Sequence, residues 1–170
     1  MNFKLFATLG FALVFGTGCA GYKLGPTAGF PAGSRSIKVA FFKNSTLEPR
    51  LVTAVNHALR KQLQQDGTYS LSTGEDADVI VTGEIEQFNR SPVSFVQEDV
   101  ITARDFNISM SARITATDVS TGEVLLDREV SGRTTLRIGT DLASAERQAV
   151  PLIAADLARN ATSYLVDGNW

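Results

Sequence analysis

The sequence predicts an α+β fold: a mostly antiparallel sheet of four to five strands with two helices packed on one face. Two observations lead to this prediction. Residues 105–117 alternate apolar and polar side chains without interruption, which is typical of an antiparallel strand with one buried face. Residues 46–65 and 141–167 instead repeat apolar side chains at helical spacing, which is typical of helices that pack on a sheet.

The first predicted strand spans residues 36–42 and has one apolar side. A polar turn over residues 43–46 follows it and directs the chain away from the sheet. The side chains on the apolar side of the strand are Ile37, Val39 and Phe41.

The first helix follows this turn and runs to about residue 65. Its N-cap is either Ser45, which would form a capping box with Glu48, or Thr46. Gly67 ends the helix, because glycine readily adopts the left-handed conformation that closes a helix. The apolar stripe that should pack on the sheet consists of Leu51, Val55, Leu59 and Leu63.

A short strand at 68–72 and a longer one at 77–88 follow the helix. The apolar positions of the longer strand change from one face to the other, and we expect a β-bulge at Gly83 to cause this change. Residues 89–103 lose clear alternation, so they form either a long, partly exposed hairpin arm or a loop.

Residues 105–117 and 124–138 are predicted to form an antiparallel hairpin. A three-residue loop at 120–122 places Gly122 in the left-handed conformation and keeps both apolar sets on one face. The resulting register places two pairs of opposite charges across from each other, and such pairs stabilise neighbouring strands. The pairs are Arg113 with Glu129 and Asp105 with Arg137.

The last helix is predicted to extend from its N-cap, Asp141, to a point before Gly168. Pro151 lies inside it, and proline in a helix interior removes a hydrogen bond at a cost of about 3 kcal/mol. We therefore expect either a kink at Pro151 or two helices that meet there. The apolar stripe consists of Val150, Ile153, Leu157, Ala161, Tyr164 and Leu165.

The composition argues against several classes of function. A formal net charge of −2 gives no electrostatic footprint for nucleic acid. The single histidine, His57, is expected on the exposed side of the first helix. Without a second histidine or clustered carboxylates, the sequence offers no plausible zinc site and no histidine-based catalytic triad. We therefore expect a protein that is not an enzyme and that holds no metal or cofactor.

The N-terminal residues 1–18 have the organisation of a signal peptide, in which Lys4 precedes an apolar run too short to span a bilayer. The stretch that ends this segment, Phe15-Gly16-Thr17-Gly18-Cys19, resembles the lipobox of bacterial lipoproteins. That resemblance implies cleavage before Cys19, the only cysteine, and attachment of acyl chains that anchor the protein in a membrane.

Ala20 follows the cysteine, which resembles lipoproteins that are sent on to the outer membrane. Residues 19–35 are rich in glycine, proline and alanine and are predicted to be a flexible, lipidated tether. Residues 36–170 are predicted to form a single domain. With no second cysteine the domain has no internal disulfide, so packing alone must stabilise it.

Two arginines of the predicted hairpin are candidates for binding phosphate groups, because a guanidinium group donates two parallel hydrogen bonds to such an anion. Arg133 projects from the polar face, opposite Ser109, with no predicted acidic partner. Arg128 lies on the apolar face near the turn, where it either extends past the sheet edge into solvent or binds a ligand.

Several segments of the chain recur together in one known pattern. They are the lipobox, Gly21-Tyr22-Lys23-Leu24, the strand Ile37 to Thr46 with its Asn-Ser-Thr end, the helix after it, Thr82-Gly83-Glu84-Ile85 and the long hairpin. In this combination the chain resembles the LptE family of lipopolysaccharide-assembly lipoproteins, and the resemblance covers nearly all of the mature chain.

The resemblance implies a lipid-anchored plug on the periplasmic side of the outer membrane, seated in an LptD-type β-barrel and helping lipopolysaccharide reach the outer leaflet. In that setting Arg128 and Arg133 are candidate lipopolysaccharide contacts. Two alternatives remain open: an outer-membrane lipoprotein adaptor in secretion or envelope assembly that does not bind lipopolysaccharide, and a periplasmic hydrolase, for which we find no catalytic groups.

Overall fold

A computed structural model of the protein describes residues 30–74, 76–96, 99–137 and 141–167. Within these ranges six strands form one open sheet, and two helices cover one of its faces. In chain order the elements are β1 (Ser36–Val39), β2 (Lys43–Asn44), α1 (Arg50–Asp66), β3 (Ser70–Leu71), β4 (Val79–Val96), β5 (Asp99–Asp118), β6 (Val124–Arg137) and α2 (Leu142–Asp167).

The sheet has the strand order β3-β1-β4-β5-β6, and β2 also pairs with β4. The long strands β4, β5 and β6 are antiparallel neighbours, whereas β1 and β2 pair with their neighbours in parallel. The α+β class is confirmed, but the sheet is more mixed than predicted. The parallel part arises because α1 carries the chain back to the start of the sheet before β3, and such a crossover aligns the strands on either side of it.

The hydrophobic core lies between the sheet and the two helices. Every member of the predicted stripe of α1 is fully buried. The predicted stripe of α2 is buried as well, except that Tyr164 is 39% exposed. The largest fully buried side chains are Ile37, Val39, Leu51, Leu59, Leu63, Ile85, Ile108, Met110, Ile114, Ile153, Leu157 and Leu165.

The predicted hairpin register is confirmed from Asp105 to Ala116, but it shifts by one residue at the turn, where Thr117 pairs with Val124 and residues 119–122, one more than predicted, form the loop. Arg113 lies opposite Glu129, and Asp105 lies opposite Arg137, whose Nε is 2.8 Å from the Asp105 carboxylate. Gly122 has the expected left-handed conformation, with φ of 73°, and its N–H donates to the carbonyl oxygen of Asp118. The end of the predicted second strand, Ile138, falls outside the described residues.

The first strand departs from its prediction at its end. Phe41, expected in the core, is 76% exposed, and Phe42 is buried instead. The reason is that β1 ends at Val39, so the chain leaves the sheet and returns to it only at β2. The change of direction between the two strands turns Phe42 inward.

The predicted bulge at Gly83 is also wrong. Gly83 lies in a regular part of β4, opposite Ile114, and the register shift occurs at Glu86, between Ile85 and Gln87. Glycine is required at position 83 for a different reason: a Cβ there would lie 2.1 Å from Cε1 of the Phe42 ring. The missing side chain makes room for that ring.

This contact predicts a coupled effect on stability. Gly83→Ala should lower the free energy of unfolding by about 2 kcal/mol, because the Phe42 ring must leave its site. In the double variant with Phe42→Leu the combined loss should be smaller than the sum of the two single losses, since the shorter side chain leaves room for the methyl group. Urea unfolding of the three variants measures this coupling. Strictly additive losses would show that the two residues do not compete for the same space.

Neither predicted N-cap of α1 is correct, whereas the predicted end of the helix at Gly67 is confirmed. Pro49 occupies the N-cap position and supplies no side-chain hydrogen bond, so neither Ser45 nor Thr46 caps the helix. Glu48 approaches the first turn instead, where its carboxylate accepts hydrogen bonds from the N–H and the guanidinium group of Arg50. Gly67 closes the helix with φ of 75° and donates its N–H to the carbonyl of Leu63.

The predicted cap of α2 is confirmed, because the Asp141 carboxylate accepts a hydrogen bond of 2.6 Å from the N–H of Ser144. The helix continues through Pro151 as one element, so two separate helices are ruled out. Pro151 lies on the exposed side of the helix, and its missing N–H leaves the carbonyl of Arg147 without the usual helical donor. Gly168 lies outside the described residues.

Of the two predictions for residues 89–103, the hairpin arm is correct: β4 continues to Val96 and β5 begins at Asp99. At the other end of the described chain, Phe30 packs against Tyr69 with 5.4 Å between ring centroids, and Gly33 donates its N–H to the carbonyl of Thr68. These contacts place residues 30–35, which the sequence assigns to the tether, against the domain. The predicted signal peptide, 1–18, and the predicted lipidation site, Cys19, lie outside the described residues.

Candidate functional site

The face of the sheet opposite the helices is polar, and over the described residues no other element covers it. Successive side chains of a strand point to opposite faces, so the alternation of residues 105–117 and 126–136 sends their apolar groups toward the helices. The open face is left with hydroxyl, amide and charged groups. Its exposed members on the two strands include Asn107, Ser109, Arg113, Ser131, Arg133 and Thr135.

At the centre of this open face, small polar side chains of three strands lie side by side. Gln87, Ser111 and Ser131 occupy directly opposed positions of β4, β5 and β6. Ser111 is only 8% exposed, and its hydroxyl oxygen has no hydrogen-bond partner in the described part of the chain. Neighbouring side chains cover this oxygen, so the exposed groups around it, and not the hydroxyl itself, are what the open face offers to a partner.

The charged groups of the open face are largely neutralised by their neighbours. Arg113 lies 2.9 Å from the Asp127 carboxylate and 3.7 Å from that of Glu86. The hydrogen bond to Asp127, reinforced by both carboxylates, raises the pKa of the Arg113 guanidinium. Although Glu129 lies directly opposite in the register, the ion pair forms with Asp127, a diagonal neighbour that a long side chain can reach.

The two arginines selected from the sequence are not brought together. Arg133 projects from the open face, while its backbone N–H donates to the carboxylate of Asp156 in α2 over 2.9 Å. Arg128 belongs to the helix-covered face, where its guanidinium lies 4.5 Å from the centre of the Tyr164 ring. The Arg128 side chain therefore lies against α2. A single small ligand group cannot contact both arginines.

The β5–β6 turn is held by a second polar network at the far end of the sheet. The Asp118 carboxylate accepts hydrogen bonds from the hydroxyl of Ser120, from the N–H of Thr121 and from Arg35. These donors, led by Ser120, lower the pKa of Asp118 to about 2. A carboxylate with a lowered folded-state pKa stabilises the fold above its unfolded value, and this contribution is lost as the pH falls.

The turn network gives an acid-stability prediction. The stabilisation by Asp118 should be complete above about pH 4 and should disappear as the pH falls through about 2. Asp118→Asn keeps the shape of the side chain but removes the titrating group, so its free energy of unfolding should fall less steeply over this interval. Urea titrations between about pH 5 and 2 test the difference in slope. Parallel curves for the two proteins would contradict the assigned role.

Within the described ranges no cluster of three or more histidine, cysteine or acidic side chains could hold a metal ion. None of the helices in the described part of the chain has the length and apolar character needed to cross a membrane. His57 is exposed on α1, as expected.

Sequence reasoning missed part of the open face. Gln87 and Asn89 face it only because the bulge at Glu86 reverses the side of β4 on which they point. The change from odd to even apolar positions between Ile85 and Phe88 indicates the position of this bulge, whereas the prediction had placed it at Gly83. The stacking partner of Arg128, Tyr164, could not be identified because it lies on a distant element.

Comparisons with known proteins agree with this architecture. The family model described as LptE, lipopolysaccharide-assembly, matches residues 34–165. Protein XCC0632 from Xanthomonas campestris superposes with a TM-score of 0.62 at 8% identity, over 84% of this chain and 90% of its own. A putative lipoprotein from Caulobacter crescentus gives 0.51 at 15% identity, over 73% and 86%. A minor lipoprotein from Acinetobacter baumannii gives 0.51 at 11% identity, over 77% and 91%.

Identities this low show a shared fold alone. No curated protein sequence matches the chain.

Proposed function

Because the chain belongs to the LptE family of lipopolysaccharide-assembly proteins, we propose that it plugs an LptD-type β-barrel of the outer membrane and assists the insertion of lipopolysaccharide into the outer leaflet. The family is one of non-enzymatic lipoproteins that work with LptD, which supports both the kind of partner and a role without catalysis.

The open face of the sheet is the observation that carries this proposal. A plug inside a barrel must present polar groups to a hydrated lumen while keeping its own core closed. The chain separates these two requirements between the faces of one sheet: the helices seal the apolar face, and the other face offers hydroxyl and amide groups.

Anchoring belongs to the same proposal. Acyl chains on Cys19 would hold the protein on the periplasmic side of the outer membrane, and two or more chains anchor far more firmly than one. Residues between Cys19 and the start of the domain would then span the distance between the membrane and the barrel entrance.

Lipopolysaccharide contact is assigned to Arg133 first and to Arg128 second. The Arg133 side chain is exposed on the open face, and the described residues place no carboxylate within ion-pair distance of it. Arg128 already contacts the Tyr164 ring, so part of its charge is engaged. Phosphate groups of lipopolysaccharide suit guanidinium donors.

The two assignments make separable predictions. Arg133→Gln should weaken lipopolysaccharide binding by the purified, folded protein about tenfold, because one charge-assisted contact is lost. Arg128→Gln should have a smaller effect. In the double variant the two losses of binding free energy should add, since the two side chains lie on opposite faces. Binding measured with fluorescent lipopolysaccharide tests both. Unchanged binding in the double variant would remove both arginines from the site.

The proposed partner is tested by isolating the tagged, full-length protein from native outer membranes in mild detergent. A large β-barrel protein recovered in equal amount, and identified by mass spectrometry, would support the plug. Recovery of the lipidated protein alone, or with a secretion complex, would contradict it and favour the adaptor.

A further inference from the structure

The two helices form a groove on the side of the domain that faces away from the sheet. They pack together along their length, and the groove between their outer surfaces encloses about 380 Å³. Small side chains, Ala58 and Ala155, allow the close approach and form part of its lining.

The lining of this helix groove is basic and rich in hydrogen-bond donors. His57 and Lys61 lie one turn apart on α1, so their side chains are neighbours on one surface of the helix. Arg159 of α2 faces them, and Gln62 and Gln65 add carboxamide groups. None of the lining residues is acidic.

The charges of the helix groove are only partly balanced. Arg159 forms an ion pair of 2.6 Å with Asp156, its neighbour on the same helix. Lys61 and His57 form no hydrogen bond or ion pair within the described residues, and both are exposed. An anion in the groove would therefore meet an unpaired ammonium group, an imidazole and the remaining donors of Arg159 at the same time.

We propose that the helix groove binds a phosphate group. A tetrahedral oxyanion accepts hydrogen bonds from several directions, which suits a site whose cationic and amide donors come from two facing helices. The site is open to solvent, so water and salt screen the attraction between its cations and the phosphate. We therefore expect a dissociation constant in the millimolar range. It lies on the layer opposite the open face, and its occupation does not depend on the barrel partner.

The single histidine provides a direct probe. In full-length, lipidated protein held in maltoside micelles, selective labelling of histidine gives one imidazole signal, that of His57. We expect sodium phosphate, added at constant pH and constant ionic strength, to move this signal in a saturable way. Lys61→Gln should weaken the response about tenfold, since it removes one charged donor. Lys43→Gln, the same change outside the groove, should leave it unaltered.

Two sources of phosphate are separated by a second titration, in which phosphatidylglycerol replaces part of the detergent. Saturation by inorganic phosphate alone assigns the site to a free anion. A shift that requires phosphatidylglycerol and disappears in the Lys61→Gln variant assigns it to a lipid headgroup. The proposal is overturned if neither probe moves the His57 signal, or if the Lys61→Gln and Lys43→Gln variants respond alike. Because no barrel protein is present, such a failure leaves the proposed plug function untouched.

Discussion

Replacing Gly132 with alanine is expected to lower the free energy of unfolding by about 3 kcal/mol. The residue is buried in β6, where the backbone of α2 lies directly against the strand. A Cβ at this position would lie 2.7 Å from the carbonyl oxygen of Ile153 and 2.7 Å from the backbone nitrogen of Leu157. Both are helix backbone atoms, so no rotation of a side chain relieves the clash.

The helix cannot simply move away from the added methyl group, because two hydrogen bonds hold it on either side of Gly132. Asn160 donates to the carbonyl of Ser131 over 2.8 Å, and Asp156 accepts from the N–H of Arg133 over 2.9 Å. A displacement that accommodates the methyl group would lengthen both. The energetic cost therefore combines overpacking with the loss of contacts at the strand edge.

Urea unfolding followed by circular dichroism measures this loss. Gly74→Ala is the matched control, since its new methyl group would meet no atom closer than 3.8 Å and its backbone is not left-handed. We expect the control to match the wild type within about 0.5 kcal/mol. If Gly132→Ala were equally well tolerated, the helix would have to pack less closely on β6 than the structure shows.

The β5–β6 hairpin was the most predictable part of the fold. Its register follows from alternation, because a shift by one residue would move every apolar side chain of the strand to the wrong face. The turn adds an independent constraint, since Gly122 must adopt the left-handed conformation. Both sources of information are local in sequence, and they miss only the one-residue shift between Ala116 and Thr117 that joins the paired strands to the turn.

Other features could not be predicted because distant contacts decide them. A run of alternating residues does not show where β1 leaves the sheet, and that point decides whether Phe41 or Phe42 is buried. The ring of Phe42 requires a glycine at position 83, but from the sequence alone a glycine within a strand is typical of a β-bulge. Gly132 is a similar case, because its role is defined by a helix that begins ten residues later in the chain.

The candidate site was only partly readable from the sequence for the same reason. The polar side chains of β5 and β6 follow directly from alternation, whereas the contribution of β4 depends on where its bulge lies. Arg128 and Arg133 were correctly placed on their strand. Their separation onto opposite faces follows from parity along the strand, whereas the helix residues that each one contacts became visible only once α2 was in position.

The open face gives the largest expected functional effect, which rests on the proposed barrel partner. Ser109→Trp places a bulky side chain in the middle of this face, next to the unpaired Ser111 hydroxyl and opposite Arg133. The serine is exposed, so the fold should tolerate the change. If the barrel wall lies against this face, the added indole prevents close approach, and the amount of copurified barrel protein should fall at least tenfold, which corresponds to about 1.4 kcal/mol of binding free energy.

Ser163→Trp is the matched control, because it makes the same change at an exposed serine of α2, on the opposite layer of the domain. Its complex with the barrel should survive at wild-type levels. Loss of the complex in the Ser163 variant alone would mean that the helices, and not the sheet, face the barrel wall. Wild-type recovery of the barrel protein with both variants would mean that neither position contacts the partner. The polar character of the open face would then reflect solvent exposure and not contact with a barrel wall.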